Sequence, residues 1–233
     1  MNEVHSTEPF AVHCSQRTNH APIGVFGGTF DPIHFGHLRM AEELADALHL
    51  DKVCFIPTGQ PPHRNTPQTS AAHRLEMVRL AVADNPRFCL DDREIRQDRA
   101  SYTVDTLSDL RHELGDAQPL WLLMGADAFL GLPSWKNWRQ LFTLANIAVA
   151  HRPGYTLTQS DALHGDLRAE LEARLIDQPS RSVAGCILLA PITPLAISAT
   201  SLRRQLSERE SVRYLTPDSV CDYIEKHHLY LTA

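Results

Sequence analysis

Six short apolar runs, rich in β-branched and aromatic residues, alternate along this chain with stretches whose apolar positions recur every three or four residues. Such alternation is the pattern of βαβ units, which assemble into a parallel sheet with helices packed on its faces. The strand candidates are PIGVFG from Pro22, KVCFIP from Lys52, RFCLD from Arg87, PLWLLMG from Pro119, NIAVAH from Asn146 and CILLA from Cys186. Helical spacing is carried by four sets: Leu38, Ala41, Leu44, Ala45 and Leu48; Leu75, Val78 and Val82; Val104, Leu107, Leu110 and Leu114; Leu163, Leu167, Leu171 and Leu175. Each set makes one buried face. A last helix is expected after Pro217, through Val220, Tyr223 and Ile224. The expected fold is α/β, a single-domain doubly wound parallel sheet over residues 21–233. Residues 1–20 carry no periodicity and read as a mobile extension.

Composition narrows the function classes. With 233 residues, 43% of them hydrophobic, the chain can bury one sizeable core. It holds no run of eighteen apolar residues, and MNEVHSTEPFAVHCSQRTNH lacks the basic start and apolar centre of a signal peptide, so a cytoplasmic protein is expected. Cys14, Cys54, Cys89, Cys186 and Cys221 are odd in number and never form CxxC, which suggests neither a disulfide framework nor a structural zinc site. Cys54, Cys89 and Cys186 read as small core residues. A net charge of -6 without a basic stripe argues against a nucleic-acid partner. Nor is a membrane partner expected, and monomer and homo-oligomer both fit the sequence. An anionic ligand would need a local cluster of donors.

GVFGGTFDPIHFGHLRM, from Gly24, offers one. A strand that breaks at glycines and resumes as a helix brings backbone N–H groups and the positive end of the helix dipole toward one point, which suits a phosphate. His34 and His37, three apart at the helix start, can flank the same anion, and Gly36 between them allows close approach. A capping turn with two solvated histidines is the plain alternative. The dinucleotide fingerprint GxGxxG and the P-loop GxxxxGK[ST] are both missing. TGQPPHRNTPQTS, from Thr58, is a Pro-rich loop after the second strand, at the sheet end where ligands gather.

GGTFDPIHFGH resembles the signature of the HxGH nucleotidyltransferases, and ISATSLR at Ile197–Arg203 is similar to their second signature, ISxTxxR. SYTVDTL from Ser101, GADAFLGLPSWKNW from Gly125 and PPHR from Pro61 further resemble the bacterial nicotinate-nucleotide adenylyltransferases. Together these segments cover the chain from about residue 22 to its end. The resemblance implies a Rossmann-like nucleotidyltransferase fold. It implies transfer of the adenylyl group of ATP to nicotinate mononucleotide, with release of pyrophosphate, in NAD biosynthesis.

The resemblance also implies residue roles. His34, His37 and Arg203 would be catalytic, the histidines as donors to phosphate and Arg203 as a grip on pyrophosphate. No general base is needed, because a phosphate monoester is already largely dianionic at neutral pH. Gly27, Gly28, Thr29, Phe30, Gly125, Asp127, Ile197, Ser198 and Thr200 would complete the ATP site. Thr29, His63, Arg64, Thr103, Trp135 and Lys136 would bind nicotinate mononucleotide, Trp135 by stacking on the pyridine ring. Mg²⁺ is expected to ride on the ATP phosphates with no protein ligand assigned.

Several positions also have plainer readings. Asp127 could be a helix N-cap, Trp138 a core aromatic, Arg203 a surface charge on a helix capped by Ser198 or Thr200, and His63 and Arg64 solvated loop residues. The rival functions are a sister HxGH transferase acting on phosphopantetheine or a CTP substrate, and a non-catalytic dinucleotide-binding module.

Overall fold

The computed structural model describes residues 20–61, 66–154, 157, 163 and 165–231. The chain runs β1 (Ile23–Gly28), α1 (Phe35–Ala47), β2 (Lys52–Pro57), α2 (Ala71–Val82), β3 (Phe88–Leu90), α3 (Arg93–Arg96) and α4 (Thr103–Leu114). It continues with β4 (Leu120–Gly125), α5 (Ala126–Leu130), α6 (Leu141–Leu144), β5 (Asn146–His151), α7 (Gly165–Arg174), β6 (Leu175–Ile176), β7 (Ile187–Pro191), α8 (Ala199–Ser207) and α9 (Asp218–Lys226). The strands form one seven-stranded sheet in the order β3-β2-β1-β4-β5-β7-β6, and each described pairing is parallel.

The strand residues divide between two cores by the two-residue alternation of a pleated sheet. On one face Val25, Leu122, Met124 and Val149 pack with Val104, Leu107 and Leu110 of α4 and with Leu167 and Leu171 of α7. On the other face Phe26, Phe55, Leu123 and Ala148 pack with Ala41 and Leu44 of α1, Met77 and Val78 of α2, and Val220 and Ile224 of α9. Helices on both faces make the sheet doubly wound, as the sequence pattern predicts. All six expected strands form, within about a residue or two of their expected ends.

Three details differ from the sequence reading. Leu175 does not continue the helical face of α7: it opens β6, is exposed, and pairs with Ile187. A two-residue strand has no periodicity to reveal it. Cys186 is only half-buried beside β7, whereas Cys54 and Cys89 are core residues on neighbouring strands, their sulfurs 2.9 Å apart. Leu75 lies half-buried on α2, while Arg74 beside it is buried.

The chain leaves β1 to one side and β4 to the other, so the carboxyl ends of these two strands flank a crevice. That is the ligand position in an open parallel sheet. No described helix is long and apolar enough to cross a membrane.

Candidate active site

Three connected cavities occupy the crevice. The largest, about 780 Å³, is walled by Gly27, Gly28, Thr29, Phe30, His37, Gly125, Thr200 and Arg203, with Thr66, Pro67 and Gln68 on one side. A smaller one, about 150 Å³, is shared by Gly27, Gly28 and Thr29 with Thr58, Ser101, Tyr102, Thr103, Trp135 and Lys136. The third, about 400 Å³, joins the first at Met40 and Gly125 and is bounded by Asp127, His151, Arg152, Ile192 and Leu195. The end of β1 is the common wall of the first two. A Cβ at Gly27 would meet no protein atom within 4 Å, so this strand end is bare backbone facing the cavities, while one at Gly28 would strike the Phe30 ring at 2.8 Å.

Phe30 is non-glycine in the left-handed region, with φ at 49°. That conformation costs of order 1–3 kcal/mol. Its buried ring repays this by packing edge-on against Phe26 and His37, with centroids 5.6 and 5.1 Å away. The turn is held from behind by Arg74, 1% exposed, whose Nη1 donates to the Thr29 carbonyl (2.8 Å) and Nη2 to the Gly59 carbonyl (3.0 Å). One side chain thus sets the spacing between the loops that follow β1 and β2. No local pattern marks Arg74, which reads as an ordinary helix cation.

The histidines stack face to face, with ring centroids 3.7 Å apart. His34 is the N-cap residue of α1, but it is buried rather than solvated, and it stands behind His37 instead of lining the cavities. His37 reaches the large cavity and its Nδ1 accepts the His34 backbone N–H at 3.3 Å. With Nδ1 engaged as acceptor, the neutral ring carries its proton on Nε2 and presents a donor. Burial lowers the His34 pKa to about 4, and burial together with the neighbouring His34 lowers that of His37. Both are neutral at pH 7.

This has a stability consequence with a definite sign. The folded pKa of His34 lies below the ordinary value near 6.5, so between pH 6.5 and 4 the unfolded chain binds more protons and stability falls as pH falls. His34 alone accounts for a loss on the order of 3 kcal/mol across that window. Denaturant midpoints measured from pH 7 to 4 should show the decline, and a folded His34→Asn variant should show a shallower one, with the share of His37 remaining. An equally steep decline in the variant would place its origin elsewhere.

α8 is preceded by Ser198, whose Oγ accepts the Ser201 N–H at 3.1 Å. Ser198 is therefore the cap, and Thr200 is free to line the cavity. Arg203 also lines it. Its Nη1 donates to the Asp31 carbonyl at 2.7 Å, Nη2 to Thr200 Oγ1 at 3.3 Å, and Nε has no protein partner. The N-cap of α5 is Gly125, which removes the capping reading of Asp127, an exposed residue at the third cavity. Trp135 lines the first two cavities whereas Trp138 is buried in the core, so the two tryptophans divide between site and fold. Lys136 bonds to Asp105, with Nζ 3.1 and 3.3 Å from its oxygens, and sits 4.4 Å from the Tyr102 ring centre.

Of the residues expected to bind ligands, His34, Ile197 and Ser198 do not line these cavities, and His63 and Arg64 lie outside the described residues. The structure adds Thr58, Ser101, Tyr102, Met40, Gln68, His151, Arg152 and Ile192. Ser101 and Tyr102 fall inside the quoted SYTVDTL, whereas His151 and Arg152 come from the end of a strand that carried no motif.

Fold and site together define a nucleotidyltransferase, and the Cytidylyltransferase-like family model matches residues 25–205. The chain is 53% identical, over 90% of its length and 97% of the relative's, to the probable nicotinate-nucleotide adenylyltransferase of Dechloromonas aromatica. It is 50% identical to that of Chromobacterium violaceum, over 90% of this chain and 99% of the relative. The chain belongs to the nicotinate-nucleotide adenylyltransferase family. Its fold is that of the Plasmodium falciparum nicotinic acid mononucleotide adenylyltransferase solved with NaAD, at a TM-score of 0.67 and 17% identity, covering 91% of this chain and 98% of that one.

Proposed function

We infer that this chain joins the 5′-phosphate of nicotinate mononucleotide to the α-phosphorus of ATP. The product is nicotinate adenine dinucleotide, and pyrophosphate leaves. The observation that carries the reading is the shared wall at Gly27–Thr29, with a small aromatic-sided cavity on one side and a larger one bearing His37 and Arg203 on the other. Two phosphorylated substrates placed in these cavities meet at that strand end, which fits transfer between them.

In this reading the triphosphate lies in the large cavity, and the adenine extends past Met40 and Gly125 toward Ile192 and Leu195. A phosphate oxygen of nicotinate mononucleotide attacks the α-phosphorus, and the bond from that phosphorus to the bridging oxygen breaks. His37 Nε2–H and the backbone after β1 meet the charge on the α-phosphate, and Arg203 meets the leaving pyrophosphate. The attacking phosphate needs no base. No described group of three or more His, Cys, Asp or Glu residues could hold a metal, and both oxygens of Asp31 already accept protein hydrogen bonds. These residues fit a divalent ion held by phosphate oxygens and water rather than a protein cage, and Mg²⁺ suits that arrangement. Such an ion would neutralise phosphate charge. We place the reaction in the cytoplasm, and residues 21–233 act as one domain in this reading. The test is pyrophosphate release from ATP with nicotinate and nicotinamide mononucleotides side by side; release with neither overturns the reading.

The pyridine end can be argued further. Lys136 is paired with Asp105, whose charge offsets that of its ammonium at the cavity. The N-terminus of α4, with Thr103 as its first residue, opens on the same cavity, and the first N–H groups of a helix have no intrahelical partner. Backbone donors accept a carboxylate but oppose the NH₂ of an amide, and each unpaired buried group costs about 1–3 kcal/mol. Two of them give an acid preference on the order of 10²–10³ in kcat/KM. Lys136→Ala is expected to keep most of that preference, whereas Trp135→Ala weakens binding of both mononucleotides together. Measuring kcat/KM for both substrates in both variants checks this, and collapse of the preference in Lys136→Ala would assign the reading to the ammonium.

A further inference from the structure

Asp31 stands in the turn between β1 and α1 and is 5% exposed, yet no carboxylate is needed for the chemistry described above. A buried carboxylate persists only where hydrogen bonds replace its lost water. Here Oδ1 accepts the Thr69 hydroxyl and the Tyr230 phenol, each at 2.7 Å, and Oδ2 accepts the Gln68 backbone N–H at 2.8 Å. Thr69 and Tyr230 are 9% exposed, and their hydroxyl oxygens are 3.4 Å apart. Burial and the facing Asp31 charge raise the Tyr230 pKa, so the phenol remains a donor.

Four distant segments meet at this residue: the active-site turn, the segment before α2, α8 through Arg203, and the chain after α9. Three of them carry cavity walls, the turn through Thr29, Phe30 and Asp31. Gln68 lines the large cavity beside Thr66 and Pro67, and Arg203 is anchored through Nη1 to the carbonyl of Asp31 itself. Whatever fixes Asp31 therefore fixes the origin from which Arg203 reaches the cavity.

We propose that Asp31, Thr69 and Tyr230 form a buried positioning hub that holds Arg203 and the Gln68 segment in register with the triphosphate during adenylyl transfer. The proposal rests on the functional reading above. Thr69 and Tyr230 do not line the large cavity, so they are positioning residues that act through Asp31. The shared carboxylate couples these side chains across the fold, and losing one donor to a charged acceptor lets the turn drift.

The test compares Tyr230→Phe and Thr69→Val, which remove one hydroxyl each and keep the packing. In both, kcat should fall roughly tenfold, with the KM for nicotinate mononucleotide within about twofold of wild type. Thr69→Ser, which restores the donor, should recover kcat to within about twofold. Adding Tyr230→Phe to Arg203→Ala should cost less than about twofold more, because the residue through which the hub acts is already gone. A merely structural role would lower the melting temperature and leave the two losses additive. Wild-type kcat in both hydroxyl variants, or full additivity in the Arg203→Ala background, overturns the proposal. If Tyr230→Phe does not fold, the Thr69 pair makes the same comparison, with Thr69→Val in the Arg203→Ala background. Wild-type protein that releases no pyrophosphate with either mononucleotide overturns the functional reading itself, which separates that failure from failure of the hub alone.

Discussion

His37→Ala is expected to lower kcat by about 10²–10³, the usual loss when one preorganised donor to a developing charge is removed. The ring reaches the large cavity with its Nδ1 already engaged by the His34 backbone, so Nε2–H is the group it offers. Because the donor acts on charge that develops in the transition state, ATP binding should weaken far less than kcat falls. His37→Gln, which can still place an N–H donor, should recover part of the loss. The variant must first be shown folded, since Phe30 packs edge-on against this ring. A folded His37→Ala variant with unchanged kcat would remove His37 from the mechanism.

Arg203→Lys is expected to be damaging although the charge is kept. The guanidinium in this structure does two things at once: Nη1 bonds to the Asp31 carbonyl and Nη2 to Thr200, while the second N–H of each terminal nitrogen is left for a ligand in the cavity that Arg203 lines. A lysine ammonium is a single compact head that cannot hold the turn and grip phosphate from two separated nitrogens. Losing one charge-assisted hydrogen bond, at about 1.5–3 kcal/mol, corresponds to roughly 10–100-fold in kcat/KM for ATP. Steady-state kinetics with ATP varied at saturating mononucleotide gives the answer. Wild-type kinetics in Arg203→Lys would make Arg203 a surface charge.

The histidine pair shows where reading the sequence reached and where it stopped. The three-residue spacing correctly places both rings at one helix start, but spacing is symmetric and gives the two residues the same duty. In the folded chain the rings stack, which puts His34 inside and His37 at the cavity. The tryptophans follow the same logic. LPSWKNW holds two candidates three residues apart, and only the packing of Trp138 among Leu132, Leu141 and Phe142 separates the core residue from the cavity wall. Lys136 looks free in sequence and is paired in the structure, because its partner Asp105 lies 31 positions away on another element.

The sequence by itself determined the alternation of strands and helices, the parallel sheet, the strand-turn-helix at the end of β1, and the ISATSLR helix start. Each rests on interactions within about four residues, where period, caps and turn chemistry are written locally. Only the tertiary structure decided that Arg74 braces the turn, that Arg203 hangs from the Asp31 carbonyl, and that Tyr230 returns from the chain's end to a carboxylate 199 positions earlier. Such contacts leave no periodic trace. A buried arginine on a helix, a threonine before one and a tyrosine near a terminus are each locally unremarked, and they acquire a role when folding brings a partner to a distance of about 3 Å, where hydrogen bonds form.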